Sequence, residues 1–201
     1  MTLSALVVID VQNDFCPDGT LAVSGGDEIV PRINNLIATH DHVVVTQDWH
    51  PAGHSSFASS HLGKVPFEIV EMPYGPQTLW PDHCIQGTKG AELHDQLEWP
   101  KAELLIRKGF RKAIDSYSAF FENDHKTPTG LGGYLKERGI KSVTLCGLAT
   151  DYCVAYSALD AAELGLKVTV ELDACRAIDL GGSLATMLEK MRAAGVALRS
   201  A

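Results

Sequence analysis

Thr144-Leu-Cys-Gly-Leu-Ala-Thr-Asp-Tyr-Cys153 is the stretch of sequence around which the fold is predicted to form. Its first residues are typical of a β-strand, Gly147 permits a sharp bend, and Thr150 is suited to cap a following helix. Cys153 then falls in the first turn of that helix, where free N–H groups and the helix dipole favour a thiolate. A cysteine in this position is a candidate nucleophile, although a small buried core residue is the commoner role of a free cysteine.

Composition and charge exclude several classes of protein. The 201 residues carry a net charge of -8, which disfavours nucleic acid and anionic membranes as partners. No apolar run approaches the roughly 20 residues that span a bilayer, and the first apolar run lacks the basic segment of a signal peptide. The five cysteines have no framework spacing, which indicates reduced thiols rather than disulfides. We therefore predict one domain over residues 1–201, located in the cytoplasm.

Strands and helices are predicted to alternate along the chain. Continuous apolar runs at 5–11 and 42–48 are typical of buried parallel strands, and the spacing of apolar residues between them predicts a helix over about 27–39. Further strands are predicted at 103–108, 143–145, 167–172 and 196–198, and further helices at 131–138, 151–164 and 184–194. Six strands and four helices in alternation predict a three-layer α/β/α fold with a six-stranded, mainly parallel, Rossmann-like sheet.

Reactive side chains follow four of these strands, at the edge where open parallel sheets bind ligands; they are Asp10, Asp48, Lys108 and Cys153. Asp10 is a candidate base for the Cys153 thiol, and Lys108 would stabilise the resulting thiolate. Attack of this thiolate on an acyl carbon would give a thioester, which water then hydrolyses. The backbone N–H groups of Ala149 and Cys153 are the candidate oxyanion donors.

A second group of residues fits a divalent metal ion. Asp48 and His50 are two positions apart on an extended segment and project to the same side, and His83 would complete a set of two histidines and one carboxylate. Three protein ligands leave open positions and suit Fe(II), Mn(II) or Zn(II). The alternatives are a chance grouping of surface histidines or ligation by His54, His61 or Cys84. Residues from about 49 to 100 are predicted to be a metal-bearing loop insertion.

Five motifs occur in chain order: Val8-Ile-Asp-Val-Gln-Asn-Asp-Phe15 with Gly25-Gly26, Asp48-Trp-His50-Pro, Trp80-Pro-Asp-His83-Cys-Ile-Gln-Gly-Thr, Lys108-Gly, and Gly147-Leu-Ala-Thr-Asp-Tyr-Cys153-Val. Together they resemble the nicotinamidase/pyrazinamidase branch of the isochorismatase-like hydrolases. The matches run from the first strand to beyond the candidate nucleophile, so the resemblance covers most of the chain.

The resemblance implies a role for each group of residues. The catalytic triad would be Asp10, Lys108 and Cys153. One divalent metal, in contact with the pyridine nitrogen of the substrate or its water, would be held by Asp48, His50 and His83. A slot for the flat ring would be lined by Phe15, Trp80 and Tyr117. The resemblance also implies a cis peptide bond between Leu148 and Ala149, and it leaves a fourth metal contact open between Ser56, His54 and water.

The reaction expected from the resemblance is hydrolysis of nicotinamide to nicotinate and ammonia in NAD salvage, with pyrazinamide as a second substrate. The alternatives are an amidase for a carbamoyl or ureido substrate, which needs no metal, and a non-catalytic protein that binds a metal or a small molecule. Isochorismatase itself is disfavoured because its vinyl-ether hydrolysis does not need the cysteine. No Gly-x-Gly-x-x-Gly motif follows the first strand, which disfavours a dinucleotide-binding enzyme. The metal and the oligomeric state stay open, and a homo-oligomer is compatible with the sequence.

Overall fold

The computed structural model describes residues 3–200. Its strands in chain order are β1 (Ser4–Ile9), β2 (His42–Asp48), β3 (Ile69–Met72), β4 (Gly75–Thr78), β5 (Leu104–Lys108), β6 (Ser142–Leu148), β7 (Lys167–Arg176) and β8 (Ala197–Arg199). Its α-helices are α1 (Val30–Thr39), α2 (Leu131–Glu137), α3 (Ala155–Glu163) and α4 (Ser183–Ala193). Not one of these helices has both the length and the apolar character needed to cross a membrane.

Six strands form the central sheet in the order β5-β2-β1-β6-β7-β8, and every neighbouring pair is parallel. The chain moves outward from β1 on one side and from β6 on the other, so the winding reverses between these two strands. Right-handed crossovers place α1 on one face of the sheet and the other three helices on the opposite face. The predicted three-layer α/β/α fold is therefore confirmed. The edge beside β1 and β6 is the switch point at which such sheets bind ligands.

The core consists of the central strands and one face of each covering helix. Residues 5–9 of β1 and 43–45 of β2 are almost completely buried, as expected for parallel strands covered on both faces. Helix α1 buries Ile33, Leu36 and Ile37 and ends at Thr39 as predicted. It begins at Val30 rather than 27, because Pro31 lies in its first turn, the position at which a helix tolerates proline.

Two predicted elements differ from the structure because of strand pairing. β7 continues to Arg176 instead of ending at 172, since its last residues pair with Gly147 and Leu148 of β6 beyond an irregularity in the register. The segment from 49 to 100 contains the antiparallel β3–β4 hairpin where only a loop was predicted. Pro76 lies within β4, and proline inside a short run argues against a strand when the sequence alone is read.

Residues 144–153 form a strand, a turn and the beginning of a helix, but Thr150 does not cap the helix. Gly147 has a φ of 122°, and a Cβ there would lie 2.0 Å from a backbone oxygen of β1, so the position requires glycine. The peptide bond between Leu148 and Ala149 is cis, as the resemblance implied. A single π-helical turn, Thr150–Val154, precedes α3, and no side chain caps it. Cys153 lies in this wider turn rather than in a regular first α-helical turn.

Candidate active site

Side chains from four strand ends meet at the switch-point edge of the sheet. Asp10 follows β1, Asp48 ends β2, Lys108 ends β5, and Cys153 lies in the π-helical turn after β6. Asp48 and Lys108 are direct neighbours in the sheet register, which places them side by side. All four residues are buried. The structure thus brings together the four reactive residues that were named from their positions after strands.

Lys108 is the central cation of this group. Its Nζ lies 2.8 Å from Asp10 Oδ2 and 2.6 Å from Asp48 Oδ1, and it donates to the carbonyl of Ser116 at 2.9 Å. The sulfur of Cys153 is 3.4 Å away. Burial alone would lower the pKa of Lys108, but the two carboxylates outweigh burial and raise this pKa well above its ordinary value. The ammonium group is therefore charged.

The two oxygens of Asp10 have different surroundings. Its Oδ1 accepts a hydrogen bond from Thr46 Oγ1 at 2.6 Å, whereas Oδ2 faces Lys108 and accepts no well-formed hydrogen bond from residues 3–200. A carboxylate oxygen of Asp10 lies within 4.8 Å of Cys153 Sγ. Burial raises the pKa of Asp10, and Lys108 opposes this only in part. The carboxylate is consequently a stronger base than an exposed aspartate.

The prediction that its helix position favours a Cys153 thiolate stays a prediction, and burial of the thiol opposes it. Burial raises the pKa of the thiol well above its ordinary value, Lys108 opposes the shift, and the carboxylates of Asp10 and Asp48 add to it. The thiol therefore needs a base before it can attack. Both oxygens of Asp48 face other partners, so Asp10 is the carboxylate placed for this role.

The donor atoms of Asp48, His50 and His83 converge as in a metal site. Asp48 Oδ2 lies 3.4 Å from His50 Nε2 and 3.7 Å from His83 Nε2. His50 Nδ1 donates to the carbonyl of Gly109 at 2.9 Å, and His83 Nδ1 donates to that of Pro81 at 2.8 Å. These bonds leave the Nε2 lone pair of each ring free beside Asp48. Such outer hydrogen bonds orient the imidazole ligands of metal sites.

Two further residues hold this donor set in position. The side chain of Gln12, which the sequence analysis did not single out, donates to the carbonyl of Asp48 at 2.9 Å and accepts from its N–H at 2.8 Å. A Cβ at Gly109 would lie 2.4 Å from a ring carbon of His50, so only glycine fits there. Although burial raises the pKa of Asp48, the Lys108 ammonium outweighs it and holds this pKa well below the usual range. Asp48 is therefore an ionised donor.

His54, one candidate for the fourth metal contact, has both ring nitrogens engaged by the protein. Its Nε2 lies 3.0 and 3.1 Å from two backbone carbonyls of the loop after β5, and its Nδ1 accepts from Ser56 Oγ at 2.7 Å. The ring of His61 is hydrogen-bonded to the carbonyl of Ser55. Of the residues named from the sequence, Ser56, directly or through water, stays the predicted fourth metal contact.

Asp115 is a buried carboxylate at the site that the sequence analysis missed. Its Oδ1 lies 4.0 Å from His50 Nε2, and Asp115 lines the same cavity as Cys153. The carboxylate accepts hydrogen bonds from the Ser116 N–H at 2.8 Å and from Gln77 Nε2 at 3.0 Å. Asp115 lies in an irregular loop, where neither periodicity nor a motif distinguishes it. Its burial beside the histidines reveals it only in three dimensions.

A small pocket lies beside Cys153, Asp48 and His83, and we call it the slot. Its walls include the three aromatic residues named from the resemblance, Phe15, Trp80 and Tyr117. They also include three residues that the sequence analysis did not assign to it, Leu21, Tyr152 and Ile178. Trp80 Nε1 donates to Tyr117 Oη at 3.2 Å, which fixes two of the rings relative to each other. Apolar aromatic walls of this kind suit a small planar ligand.

Comparison with known proteins gives matches over almost the whole chain. The isochorismatase domain matches residues 4–201. The nicotinamidase of Acinetobacter baylyi is 59% identical over 96% of this chain and 90% of its own length. The nicotinamidase of Escherichia coli is 44% identical over 88% of this chain and 84% of its own length.

Solved structures agree with these sequence matches. The nicotinamidase/pyrazinamidase of Acinetobacter baumanii has a TM-score of 0.98 at 56% identity, covering 100% of this chain and 97% of its own. The yeast nicotinamidase bound to the inhibitor nicotinaldehyde has a TM-score of 0.93 at 33% identity, covering 99% and 100%. The pyrazinamidase of Pyrococcus horikoshii in complex with zinc has a TM-score of 0.80 at 32% identity, covering 98% and 99%. With its domain match, its relatives and its fold in agreement, the chain belongs to the isochorismatase domain family.

Proposed function

We propose that this protein is a nicotinamidase, which hydrolyses nicotinamide to nicotinate and ammonia and also accepts pyrazinamide. The observation that carries the proposal is the position of Cys153 at one wall of an aromatic slot, with Lys108 in contact with both Cys153 and Asp10. Asp48 and His83 of the metal-type donor set line the same slot. The names of the related proteins support the same reaction. Its product would enter NAD salvage.

The first half of the reaction forms a thioester. Asp10 takes the proton of the Cys153 thiol, and the Lys108 ammonium stabilises the thiolate. The sulfur attacks the carboxamide carbon, and the backbone N–H groups of Ala149 and Cys153 hold the developing oxyanion. The C–N bond then breaks, and Asp10 returns the proton to the departing nitrogen. Ammonia leaves, and the acyl group stays on sulfur.

The second half releases the acid. A water molecule takes the place of ammonia, and Asp10 removes its proton as the oxygen attacks the thioester carbon. The C–S bond breaks, and the sulfur of Cys153 recovers a proton from Asp10. The pyridine carboxylic acid loses its remaining proton to solvent and departs as nicotinate. One carboxylate thus serves both halves, which requires it to stay close to the sulfur throughout.

Asp48, His50 and His83 would hold one divalent ion, and Zn(II), Mn(II) and Fe(II) all accept this donor set. The fit is supported by the two imidazole nitrogens that face the Asp48 carboxylate while their partner nitrogens donate to carbonyls. When bound, the ion would supply a Lewis acid that anchors the ring nitrogen of the substrate, directly or through water. The related pyrazinamidase in complex with zinc supports a metal of this class.

The buried charges at the site also favour a divalent cation. Three buried carboxyl groups, Asp10, Asp48 and Asp115, share the site with Lys108, whose side chain is the one buried Lys or Arg within residues 3–200. Three negative groups against one positive group leave an excess that is costly away from water. A divalent ion beside His50 would balance it. We therefore assign Asp115 to charge balance at the metal rather than to the reaction itself.

Asp115→Asn should weaken metal binding by about 10–100-fold, because the variant keeps the shape of the side chain but removes one negative charge near the ion. Metal affinity can be measured by titration against a competing chelator, independently of turnover. Asp41→Asn is the matched control, because Asp41 is exposed at the other end of β2. Equal metal affinity in the native protein and Asp115→Asn would show that Asp115 does not contribute to the ion.

The proposed function is tested by ammonia release from nicotinamide, measured with and without a chelator. We expect release that stops on chelation and returns when a divalent metal is restored. Release that is unaffected by complete metal removal would contradict the role of the ion while leaving the cysteine chemistry intact. A folded, metal-loaded protein that releases no ammonia would contradict the nicotinamidase assignment, and carbamoyl and ureido substrates would be examined next.

We further infer that residues 49–100 act as an insertion that serves the metal site, since His50 and His83 both come from this segment and Pro81 orients His83 within it. We place the protein in the cytoplasm. All five cysteines are free and buried, as fits a reducing compartment.

A further inference from the structure

Tyr152 borders both the slot and a second cavity. The other walls of the second cavity include Thr78, Tyr156, Leu180 and Met187. The ring of Tyr152 stands edge-on to Trp80, with 4.8 Å between centroids, and packs 5.5 Å from Tyr117. Tyr152 thus borders both cavities, and we call this residue the partition.

Ile178 is a second wall residue of the slot, and Asp151 fixes the loop that carries it. Asp151 Oδ1 accepts the Ile178 N–H at 3.0 Å, and Oδ2 accepts the Asp179 N–H at 2.8 Å and the Ser183 hydroxyl at 2.5 Å. Asp151 is buried and lies two residues before Cys153. The turn that carries the cysteine therefore also holds the loop between β7 and α4 against the slot.

This loop depends on the side chain of Asp151 because its own backbone is irregular. Asp179, Gly181 and Gly182 all have positive φ values, of 54°, 60° and 83°. A segment in such conformations forms few regular hydrogen bonds of its own. Three hydrogen bonds to the buried Asp151 carboxylate attach this loop to the cysteine-bearing turn, and we expect loss of that carboxylate to release Ile178 from the wall.

We propose that Tyr152 and Ile178 are specificity-determining residues that limit the size of the ring carboxamide, and that Asp151 is a positioning residue for Ile178. The proposal rests on the proposed nicotinamidase function and extends it to substrate selection. A substituent on the ring that points toward Tyr152 would collide with the partition, although Tyr152 also borders the second cavity. One extra methyl group in a closed pocket changes kcat/KM by about 10–200-fold, so the partition would reject substituted rings.

The test compares nicotinamide with the set of singly ring-methylated nicotinamides on the full-length, metal-loaded protein. For Tyr152→Ala, we expect kcat/KM for at least one methylated substrate to rise about tenfold or more relative to nicotinamide. Tyr152→Phe retains the ring and should keep the native ratio. If Tyr152→Ala does not fold, Ile178→Ala enlarges the slot at a second position. Asp151→Asn should shift the ratio as Ile178→Ala does, and should raise KM more than it lowers kcat.

Leu180→Ala is the matched control, because Leu180 lines only the second cavity and should leave the substrate ratio unchanged. A native ratio in both Tyr152→Ala and Ile178→Ala would overturn the proposal even while nicotinamide is still hydrolysed. An equal rise in Leu180→Ala of kcat/KM for the methylated substrate relative to nicotinamide would also overturn the proposal. Substrate selection would then not depend on the partition. If the native protein hydrolyses no pyridine carboxamide, the proposed function fails, and the assignment of these residues fails with it.

Discussion

Cys153→Ala should lower ammonia release from nicotinamide by roughly ten-thousand-fold or more, because it removes the atom that forms the thioester. No other cysteine, serine or threonine occurs among the residues that line the slot, so no neighbouring side chain can replace it. Asp10 and Lys108 retain each other as partners in the variant. The fold, the metal content and the binding of nicotinamide should therefore persist, and calorimetric titration measures that binding separately from turnover.

Cys175→Ala is the matched control for this experiment. Cys175 is a buried thiol in β7 that does not line the slot, so it does not meet the substrate. This variant should keep native turnover. Ammonia release by Cys153→Ala within about tenfold of the native rate would exclude the thioester mechanism, because a nucleophile contributes far more than that to catalysis.

Lys108→Met should lower the free energy of unfolding by about 3–5 kcal/mol, the cost of leaving buried carboxylates without their cation. Methionine matches the length of the lysine stem but cannot face Asp10 and Asp48 as a charge. For a chain of this size, the loss corresponds to a fall in Tm of roughly 6–20 °C. Thermal unfolding of the native protein and the variant under the same metal conditions measures it. The variant should also lose turnover, since the thiolate loses its ammonium partner.

A second substitution separates this electrostatic cost from a loss of packing. Adding Asp10→Asn to Lys108→Met removes one of the carboxylates left unpaired and should restore part of the lost Tm. Lys64→Met is the matched control, because Lys64 pairs with Glu68 at 2.8 Å on the surface and should leave Tm unchanged. If the double variant is no more stable than Lys108→Met, the destabilisation arises from packing and the charge argument is wrong.

Elements with strong apolar patterns could be predicted from the sequence, and elements that depend on a distant partner could not. The bounds of β2, His42–Asp48, agree with the prediction because the run is apolar and ends at a charged residue. The last part of β7 was missed because its pairing with Gly147 and Leu148 follows a register irregularity. The β3–β4 hairpin was missed because each short strand pairs only with the other.

The residues of the candidate site also fall into those that the sequence could predict and those that it could not. Asp10, Asp48, Lys108 and Cys153 could be named because each follows a strand, and parallel strands end at one edge. Asp115 and Ile178 could not be named because each lies in an irregular loop and reaches the slot only through folding. The roles assigned to all of these residues are predictions that the variants above will test.

The sequence by itself determined the order of the six sheet strands and the four helices, and the type of side chain at the strand ends, because both follow from local patterns of apolar and polar residues. Only the tertiary structure decided the surroundings of the Cys153 thiol, where exclusion of water and carboxylates from other strands raise its pKa. It also decided that His54 is engaged by backbone carbonyls and that Tyr152 borders two cavities. These properties depend on distances between segments far apart in the chain, and a local pattern of residues contains no such distances.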